Sequence, residues 1–213
     1  LLHQLGNEGG KCSRAIAGYR RTVTEKSDFV ILKTLLAKFP SYVGEKEIEL
    51  YNEFSLQHEL GIFLRNELKE YVVQFERNIS FFRINKKLIK KEIDIVVYKK
   101  DMSEKYAIEL KYPRNGQYPE QMYSFVKDII FMEQLKTEGF NATFSMVLVD
   151  DKLFYEGKIS SEIYDCFRGE KVISGIYHKP TGKQKEIVEV QGSYLVEWKN
   201  FDRNKKYYII ETR

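Results

Sequence analysis

Two apolar segments of the sequence contain charged residues that are costly to bury. Asp94 lies in the segment 92–98 (EIDIVVY), and Glu109 and Lys111 lie in the segment 106–112 (YAIELKY). A carboxylate in such surroundings needs a partner, because an unpaired buried charge loses its hydration. If the segments are neighbouring strands of a hairpin, alternation of side chains puts all three charges on one face. Two carboxylates beside an ammonium group form an oxygen-rich site that suits Mg²⁺.

The surrounding sequence predicts the elements that must position these residues. Apolar residues that recur at spacings of three and four indicate one face of a helix; they are Leu56, Leu60, Phe63, Leu64 and Leu68. Pro119 and Gly139 are typical of the start and the end of a second helix. In chain order, we expect a helix over 45–70, strands over 71–84, 92–98 and 106–112, a helix over 119–138 and a strand over 142–149. This order predicts an α/β domain.

Two further regions flank this segment. Residues 1–44 are expected to form an N-terminal arm and a short helix, 29–39, which Pro40 ends. Residues 151–213 contain one short helical segment and several segments rich in Val, Ile and Tyr, separated by Gly, Pro and Asn. We therefore expect three regions: the arm with its helix, a core over 45–150, and a β-rich C-terminal extension packed on that core.

Composition excludes several classes of protein. Of the 213 residues, 43% are hydrophobic, which is enough for a folded core, and 35 basic against 31 acidic residues give a net charge of only +4, which excludes a polycation. No apolar run approaches the roughly twenty residues of a membrane span. Cys12 and Cys166 are too few for a disulfide framework or a structural zinc site. We expect a cytoplasmic protein with reduced thiols and no membrane partner.

Asp94 followed by Glu109-x-Lys111, each among aliphatic residues, resembles the motif of the PD-(D/E)XK nuclease superfamily. Many restriction endonucleases, resolvases and recombination exonucleases belong to it. The element order over 45–150 is similar to that family's core, which has a mixed central sheet. Ile93 stands before the aspartate instead of proline, at a position that looks variable in the family. The resemblance implies a restriction-endonuclease-like fold and a Mg²⁺-dependent nuclease, with Mn²⁺ able to substitute, that acts on nucleic acid and above all on DNA, in restriction, defence or DNA processing.

The same resemblance implies a role for each motif residue. Asp94 and Glu109 would ligate one or two Mg²⁺ ions together with the main-chain carbonyl of Leu110. The ion would polarise a phosphoryl oxygen and lower the pKa of a water molecule. Lys111 would either orient that water or help to deprotonate it, and would offset charge at phosphorus. The sequence leaves these roles of Lys111 open.

Many relatives of this kind add a glutamate from the helix before the sheet, and Glu59 is the best candidate for it. Glu59 lies three residues after Leu56 and four before Phe63, so it falls on the apolar face of the expected helix. Glu53 and Glu67 fit this position less well. The alternative for Glu59 is an ordinary carboxylate at the flank of the helix.

Basic and amide side chains near the motif predict contacts with a nucleic acid. The segment 76–127 contains 12 basic and 7 acidic residues, and its net charge of +5 exceeds the +4 of the whole chain. Phosphate groups attract such clusters, and Arg, Asn and Gln donate hydrogen bonds to them. The expected nucleic-acid-binding residues are Lys86, Lys87, Lys90, Lys91, Arg114, Asn115, Gln117, Gln121 and Lys127. A solvated hairpin tip is the alternative for the lysines, and Asp128 and Glu133 are expected to be surface charges.

Two other interpretations stay open. A catalytically silent member of the same fold would bind nucleic acid or a protein partner, although the presence of all three motif residues argues against a decayed site. A β-rich interaction domain would bind through the aromatic residues of its tail, namely Tyr194, Trp198, Tyr207 and Tyr208. A homodimer would suit cleavage of both strands of a duplex, and the tail could supply either dimer contacts or substrate contacts.

Overall fold

The computed structural model describes residues 31–181, 186–202 and 204–213, so the arm expected over 1–26 lies outside the described residues. Leu35–Arg213 forms one unit. Residues 31–45 form α1, and the other elements are α2 (Glu53–Glu67), β1 (Val72–Asn78), β2 (Glu92–Tyr98), β3 (Lys105–Lys111), α3 (Tyr118–Thr137), β4 (Ala142–Val149), α4 (Glu162–Arg168), β5 (Ile173–His178), β6 (Ile187–Tyr194), β7 (Lys199–Asn200) and β8 (Lys206–Thr212). Within these ranges, no helix is long and apolar enough to cross a membrane.

A six-stranded mixed sheet, in the order β1-β2-β3-β4-β8-β7, forms the centre of the unit. β1, β2 and β3 are antiparallel neighbours, whereas β3 and β4 are parallel and are joined through α3. β8 returns beside β4 in the antiparallel direction, so the C-terminal part of the chain shares the central sheet. β5 and β6 form a separate two-stranded sheet. The predicted α/β class is therefore confirmed, and α2 to β4 follow the predicted order.

Different helices cover the two faces of the sheet. Side chains alternate along a strand, and Val96 and Ala107 pack with residues of α3 in one buried cluster. Phe75 is paired with Ile95 and therefore lies on the other face. There it meets Gly61 of α2, where an added Cβ would come within 2.1 Å of the Phe75 ring. The glycine thus lets α2 lie close to the sheet.

Asparagine caps set two boundaries that differ from the expected ones. α2 begins at Glu53 rather than near residue 45, because Asn52 and Ser55 form a capping box. In this box, Asn52 Oδ1 accepts a hydrogen bond from the Ser55 N–H at 2.8 Å. β1 ends at Asn78, where a strand to residue 84 was expected, because the Asn78 side chain accepts a hydrogen bond from the Ser80 N–H and caps a 3-10 helix.

The sequence predicted that the first helix ends before Pro40, but the helix continues to residue 45. A proline inside a helix removes one backbone hydrogen bond and crowds the preceding turn. Phe39 and Val43, on either side of Pro40, are both buried. Packing of the continuing helix face therefore outweighs the local preference of proline to end the helix.

The aromatic residues of the tail belong to the core. Tyr194, Tyr207 and Tyr208 are buried, and the Trp198 indole N–H donates a hydrogen bond to the carbonyl oxygen of Phe167 at 2.8 Å. These four rings therefore do not form the exposed binding surface that a β-rich interaction domain would need.

Candidate functional site

Asp94 and Glu109 meet where β2 begins and β3 ends. They lie one step beyond the paired residues Ile95 and Ile108 of the two antiparallel strands, so both side chains point to the face that α3 covers. The Asp94 N–H donates a hydrogen bond to Glu109 Oε1 at 3.3 Å, and Asp94 Oδ2 accepts one from the Leu110 N–H at 2.7 Å. The register of the hairpin therefore brings the two predicted carboxylates together.

A third carboxylate, Asp128 of α3, faces the same space. It is fully buried, so the predicted surface charge is wrong. It forms ion pairs with Lys90 and, at 3.7 Å, with Lys111. Asp128 lies three residues after Phe125 and four before Met132, but apolar residues occur on most sides of this helix, so the spacing did not mark Asp128 as buried.

Lys90 lies inside the site and not on the surface that was predicted for it. Its ammonium group is paired with both Glu109 and Asp128, whose side chains are fully buried. Burial lowers the pKa of Lys90, but the two carboxylates outweigh this effect and raise it above the usual value. Lys90 is therefore an internal partner of the carboxylates, a position that the sequence did not predict, and its contact with phosphate stays a prediction. We call Asp94, Glu109, Asp128, Lys90 and Lys111 the carboxylate cluster.

Lys111 connects the cluster to α2. Its ammonium group donates a hydrogen bond to Oε1 of Glu53 at 3.3 Å, and Glu53 Oε2 accepts one from the Tyr112 N–H at 3.2 Å. Glu59, the glutamate favoured from the sequence, contacts its neighbour His58 at 3.3 Å instead. The helix glutamate beside the motif is therefore Glu53, in the first turn of α2.

Gln57 fixes the start of β2 from α2, one turn after Glu53. Its Nε2 donates hydrogen bonds to the Asp94 carbonyl oxygen at 2.7 Å and to Glu76 Oε1 at 2.6 Å. Glu76 has a φ of 48°, and the pairing of β1 with β2 skips the position opposite Asp94, so the strand is irregular there. The buried amide of Gln57 supports this irregular backbone. No feature of the sequence pattern distinguished Gln57 from its neighbours.

The pKa values of Asp94 and Glu109 are both shifted upwards. Burial raises the pKa of Asp94 to about 6, although the charge of Lys111 acts in the opposite direction. Burial and the charges of Asp94 and Asp128 raise the pKa of Glu109 well above its usual value. Burial lowers the pKa of Lys111, but the charges of Asp128 and Glu53 outweigh it and raise the pKa. Three carboxylates facing two ammonium groups would gain from further positive charge.

The oxygen atoms of the cluster suit a hard dication such as Mg²⁺, but in the structure they are paired with the ammonium groups of lysines. Asp94, Glu109 and the Leu110 carbonyl supply the oxygens that Mg²⁺ prefers. Glu109 is paired with Lys90, and the Leu110 oxygen accepts a hydrogen bond from Lys111 Nζ at 2.9 Å. In the part of the chain that the structure describes, no three His, Cys, Asp or Glu side chains are arranged to hold a metal ion. The residues fit such an ion in chemical type, and the Lys90 ammonium group is paired with one of them, Glu109.

Three of the lysines predicted to contact phosphate surround one cavity. Lys86, Lys87 and Lys91 are exposed and line a space of about 270 Å³ beside the loop that leads into β2. Lys86 also pairs with Glu138 at 2.8 Å. These lysines lie on the same loop as Lys90 and stay candidates for contact with a phosphate backbone.

The loop after β3 is held by its own polar residues. Arg114 forms an ion pair with Asp150, and Asn115 Oδ1 accepts a hydrogen bond from Gln121 Nε2 at 3.0 Å. Gln117 lies exposed directly before α3. Contact of these four residues, Arg114, Asn115, Gln117 and Gln121, with a nucleic acid stays a prediction.

Two other polar residues of α3 hold the smaller sheet. Lys127, predicted to bind nucleic acid, pairs with Glu186 at 2.8 Å. Glu133 is buried, so the prediction of a surface charge is wrong. Its Oε1 accepts hydrogen bonds from the Gly192 N–H at 2.6 Å and from the Tyr194 hydroxyl at 3.0 Å. These contacts give Lys127 and Glu133 a place in the packing of β6 against α3.

Comparison of the chain with family models, with curated proteins and with solved structures finds no match. The carboxylate cluster and the sheet that holds it are therefore the basis for inferring a function.

Proposed function

We propose that the chain is a metal-dependent nuclease that hydrolyses phosphodiester bonds in nucleic acid, with DNA as its substrate. The observation that carries this proposal is the meeting of Asp94, Glu109 and Lys111 at adjoining ends of two antiparallel strands. Phosphodiester hydrolysis needs such a group of charges, because negative charge grows around phosphorus as water attacks. A restriction-endonuclease-like core is part of the proposal, and the order from α2 to β4 supports it.

Each motif residue has a task in this reaction. Asp94, Glu109 and the Leu110 carbonyl oxygen would hold a divalent ion, which supplies a Lewis acid for the phosphoryl group and for a water. The surrounding carboxylates raise the pKa of Lys111 above its usual value and so favour its ammonium form. That form would orient the water and offset charge at phosphorus, and help with deprotonation of the water stays open as a role of Lys111. Glu53 holds the Lys111 ammonium in place from α2.

Lysines outside the cluster would supply affinity for the phosphate backbone. Lys86, Lys87 and Lys91 are exposed on the loop that also carries Lys90. Binding through such contacts releases counterions, so we expect the affinity for DNA to fall as salt concentration rises.

The first test is cleavage of supercoiled plasmid, linear duplex DNA, single-stranded DNA and RNA, with Mg²⁺, with Mn²⁺ and with EDTA. We expect cleavage of at least one DNA substrate that depends on the added metal. Survival of all four polymers with both metals at micromolar protein would overturn the proposal.

Two variants of β2 separate the site from its surroundings. Asp94→Asn and Glu92→Gln each remove one carboxylate charge, but Asp94 belongs to the cluster whereas Glu92 is exposed. We expect D94N to lose cleavage and E92Q to keep it, with circular dichroism and thermal melting showing that both are folded. An active D94N would place the reaction elsewhere in the chain.

One observation favours a second function, that of a catalytically silent module of the same fold. The Lys90 ammonium lies between Glu109 and Asp128, where it competes with any ion for Glu109. A silent module would bind nucleic acid or a protein equally well with and without metal, and the cleavage assay would be negative. The joint presence of Asp94, Glu109 and Lys111 favours the enzyme.

A further inference from the structure

We propose that the Lys90 side chain occupies the place of a divalent ion at Glu109 and leaves the cluster when an ion binds. The inference rests on the proposed function, because it concerns the same carboxylates. Its basis is the position of the Lys90 ammonium group, which is paired with two side chains that have no solvent exposure, those of Glu109 and Asp128.

Lys90 stabilises the cluster in the absence of metal. Without its charge, Glu109 would face Asp94 and Asp128 with one ammonium group fewer to offset three carboxylates, two of which are buried. The Asp128 carboxylate is compensated by its ion pairs with Lys90 and Lys111. Buried charges without partners are strongly destabilising. A dication beside Glu109 would offset the same charges, and it would repel an ammonium group held a few ångströms away.

The exchange needs only a side-chain rotation. The backbone on either side of Lys90 is anchored: the Ile89 N–H donates a hydrogen bond to Gln134 Oε1 at 2.9 Å, and the Lys91 carbonyl oxygen accepts one from the Ile79 N–H at 2.8 Å. The Lys90 side chain itself is 28% exposed. Its flexible four-carbon stem can therefore carry the ammonium group into solvent while the loop stays in place.

Competition by Lys90 lowers the apparent affinity for metal. Only molecules in which Lys90 has left Glu109 can bind the ion, so the apparent dissociation constant is the intrinsic one divided by the fraction of such molecules. If that fraction is a tenth or less, removing the ammonium group should tighten binding by about tenfold or more.

The variants Lys90→Gln and Lys87→Gln test this competition. Both remove one positive charge from the same loop, but Lys87 is exposed and outside the cluster. Isothermal titration with Mn²⁺ should give at least about tenfold tighter binding for K90Q than for the unaltered protein, and an unchanged affinity for K87Q. Equal affinities of K90Q and the unaltered protein, or no binding of Mn²⁺ by K90Q, would overturn the inference.

The unaltered protein gives a second readout that does not depend on the folding of K90Q. Acetylation of lysine amines, followed residue by residue by mass spectrometry, should rise severalfold at Lys90 when Mg²⁺ is added. Lys87 and Lys91, which are exposed already, should keep their rates of modification. Modification of Lys90 that does not change at saturating Mg²⁺ would overturn the inference.

These outcomes are distinguishable from failure of the proposed function. Tighter binding of Mn²⁺ by K90Q, together with no cleavage of any polymer by the unaltered protein, would refute the nuclease and leave the exchange of Lys90 intact. Metal-dependent cleavage by the unaltered protein, with no gain of affinity in K90Q, would support the nuclease and refute the exchange.

Discussion

Two buried glutamates, one directly before β3 and one in its second half, have opposite surroundings. Glu104, at the hairpin tip, accepts hydrogen bonds from the Tyr71 hydroxyl at 2.6 Å and the Tyr106 hydroxyl at 2.8 Å, and it pairs with Lys99. Glu109, five residues later, lies beside Asp94 and is paired with Lys90, which is also paired with Asp128.

The pKa values of these two groups shift in opposite directions. Burial raises the pKa of Glu104, but the Lys99 ammonium group and the two tyrosine hydroxyls outweigh it and hold the pKa below its usual value. The pKa of Glu109 is raised well above the usual value. Glu104 stabilises the turn between β2 and β3, whereas the surroundings of Glu109 disfavour its ionised form. Such an unfavourable environment is typical of residues that are kept for function.

The strongest test of this contrast makes the same substitution at both glutamates. Glu109→Gln should slow cleavage by about 10³-fold, because it removes a charge that would hold the metal. Glu104→Gln should leave the rate nearly unchanged, because the hairpin tip is remote from the cluster along β3. Single-turnover cleavage of the best DNA substrate measures both rates. Equal losses in the two variants would show that the contrast in environment has no functional meaning.

Glu104→Gln should lower the stability of the protein, although it leaves the cleavage rate nearly unchanged. We expect the free energy of unfolding to fall by about 2 kcal/mol at neutral pH, because hydrogen bonds to a charged acceptor and an ion pair are lost. The folded pKa of Glu104 is lowered, so its stabilisation is present above the unfolded pKa of about 4.3 and is lost as pH falls through the folded pKa. Urea denaturation at neutral and acid pH should therefore show the difference from the unaltered protein narrowing in acid. A difference in the free energy of unfolding that does not change with pH would mean that the shape of the Glu104 side chain, and not its charge, stabilises the protein.

Asp94→Asn should have the opposite effect on stability. The folded pKa of Asp94 is raised to about 6, so above that pH the folded protein must hold an unfavourable charge. We expect D94N to raise the free energy of unfolding by about 2 kcal/mol above pH 6, and the gain to vanish below roughly pH 4, where the aspartate is protonated in both states. Thermal melting from pH 4 to pH 8 measures this gain. A D94N protein that is less stable at pH 8 would make Asp94 a structural partner like Glu104.

The sequence alone predicts those features of the site that depend on the geometry of one short segment. Asp94, Glu109 and Lys111 meet because alternation and hairpin register are properties of one short segment. The burial of Asp128 depends on which side of α3 faces the sheet, and the helix is apolar on most of its sides, so periodicity singles out no face. Lys90 lies in a loop without any period, and its position depends on the carboxylates that it joins.

The choice between Glu53 and Glu59 depended on where α2 begins. A helix that starts near residue 45 puts both glutamates in its interior, where the apolar face favours Glu59. The cap at Asn52 instead puts Glu53 in the first turn, where it reaches the end of β3. Capping residues such as asparagine are common in loops as well, so the sequence pattern alone did not mark this boundary.

The variants Glu53→Gln and Glu59→Gln are expected to give the smallest difference in activity. They compare a glutamate of α2 that contacts the cluster with one that does not. Glu53 contacts the cluster through Lys111 and acts by holding its ammonium group, so E53Q should lower kcat by about tenfold, the lower end of what supporting residues of metal sites contribute. KM should change little, because Glu53 positions Lys111 and does not bind the substrate. E59Q should match the unaltered protein, since Glu59 contacts His58. A larger loss in E59Q than in E53Q would mean that α2 presents its other side to the site, and Lys111 would then need another anchor.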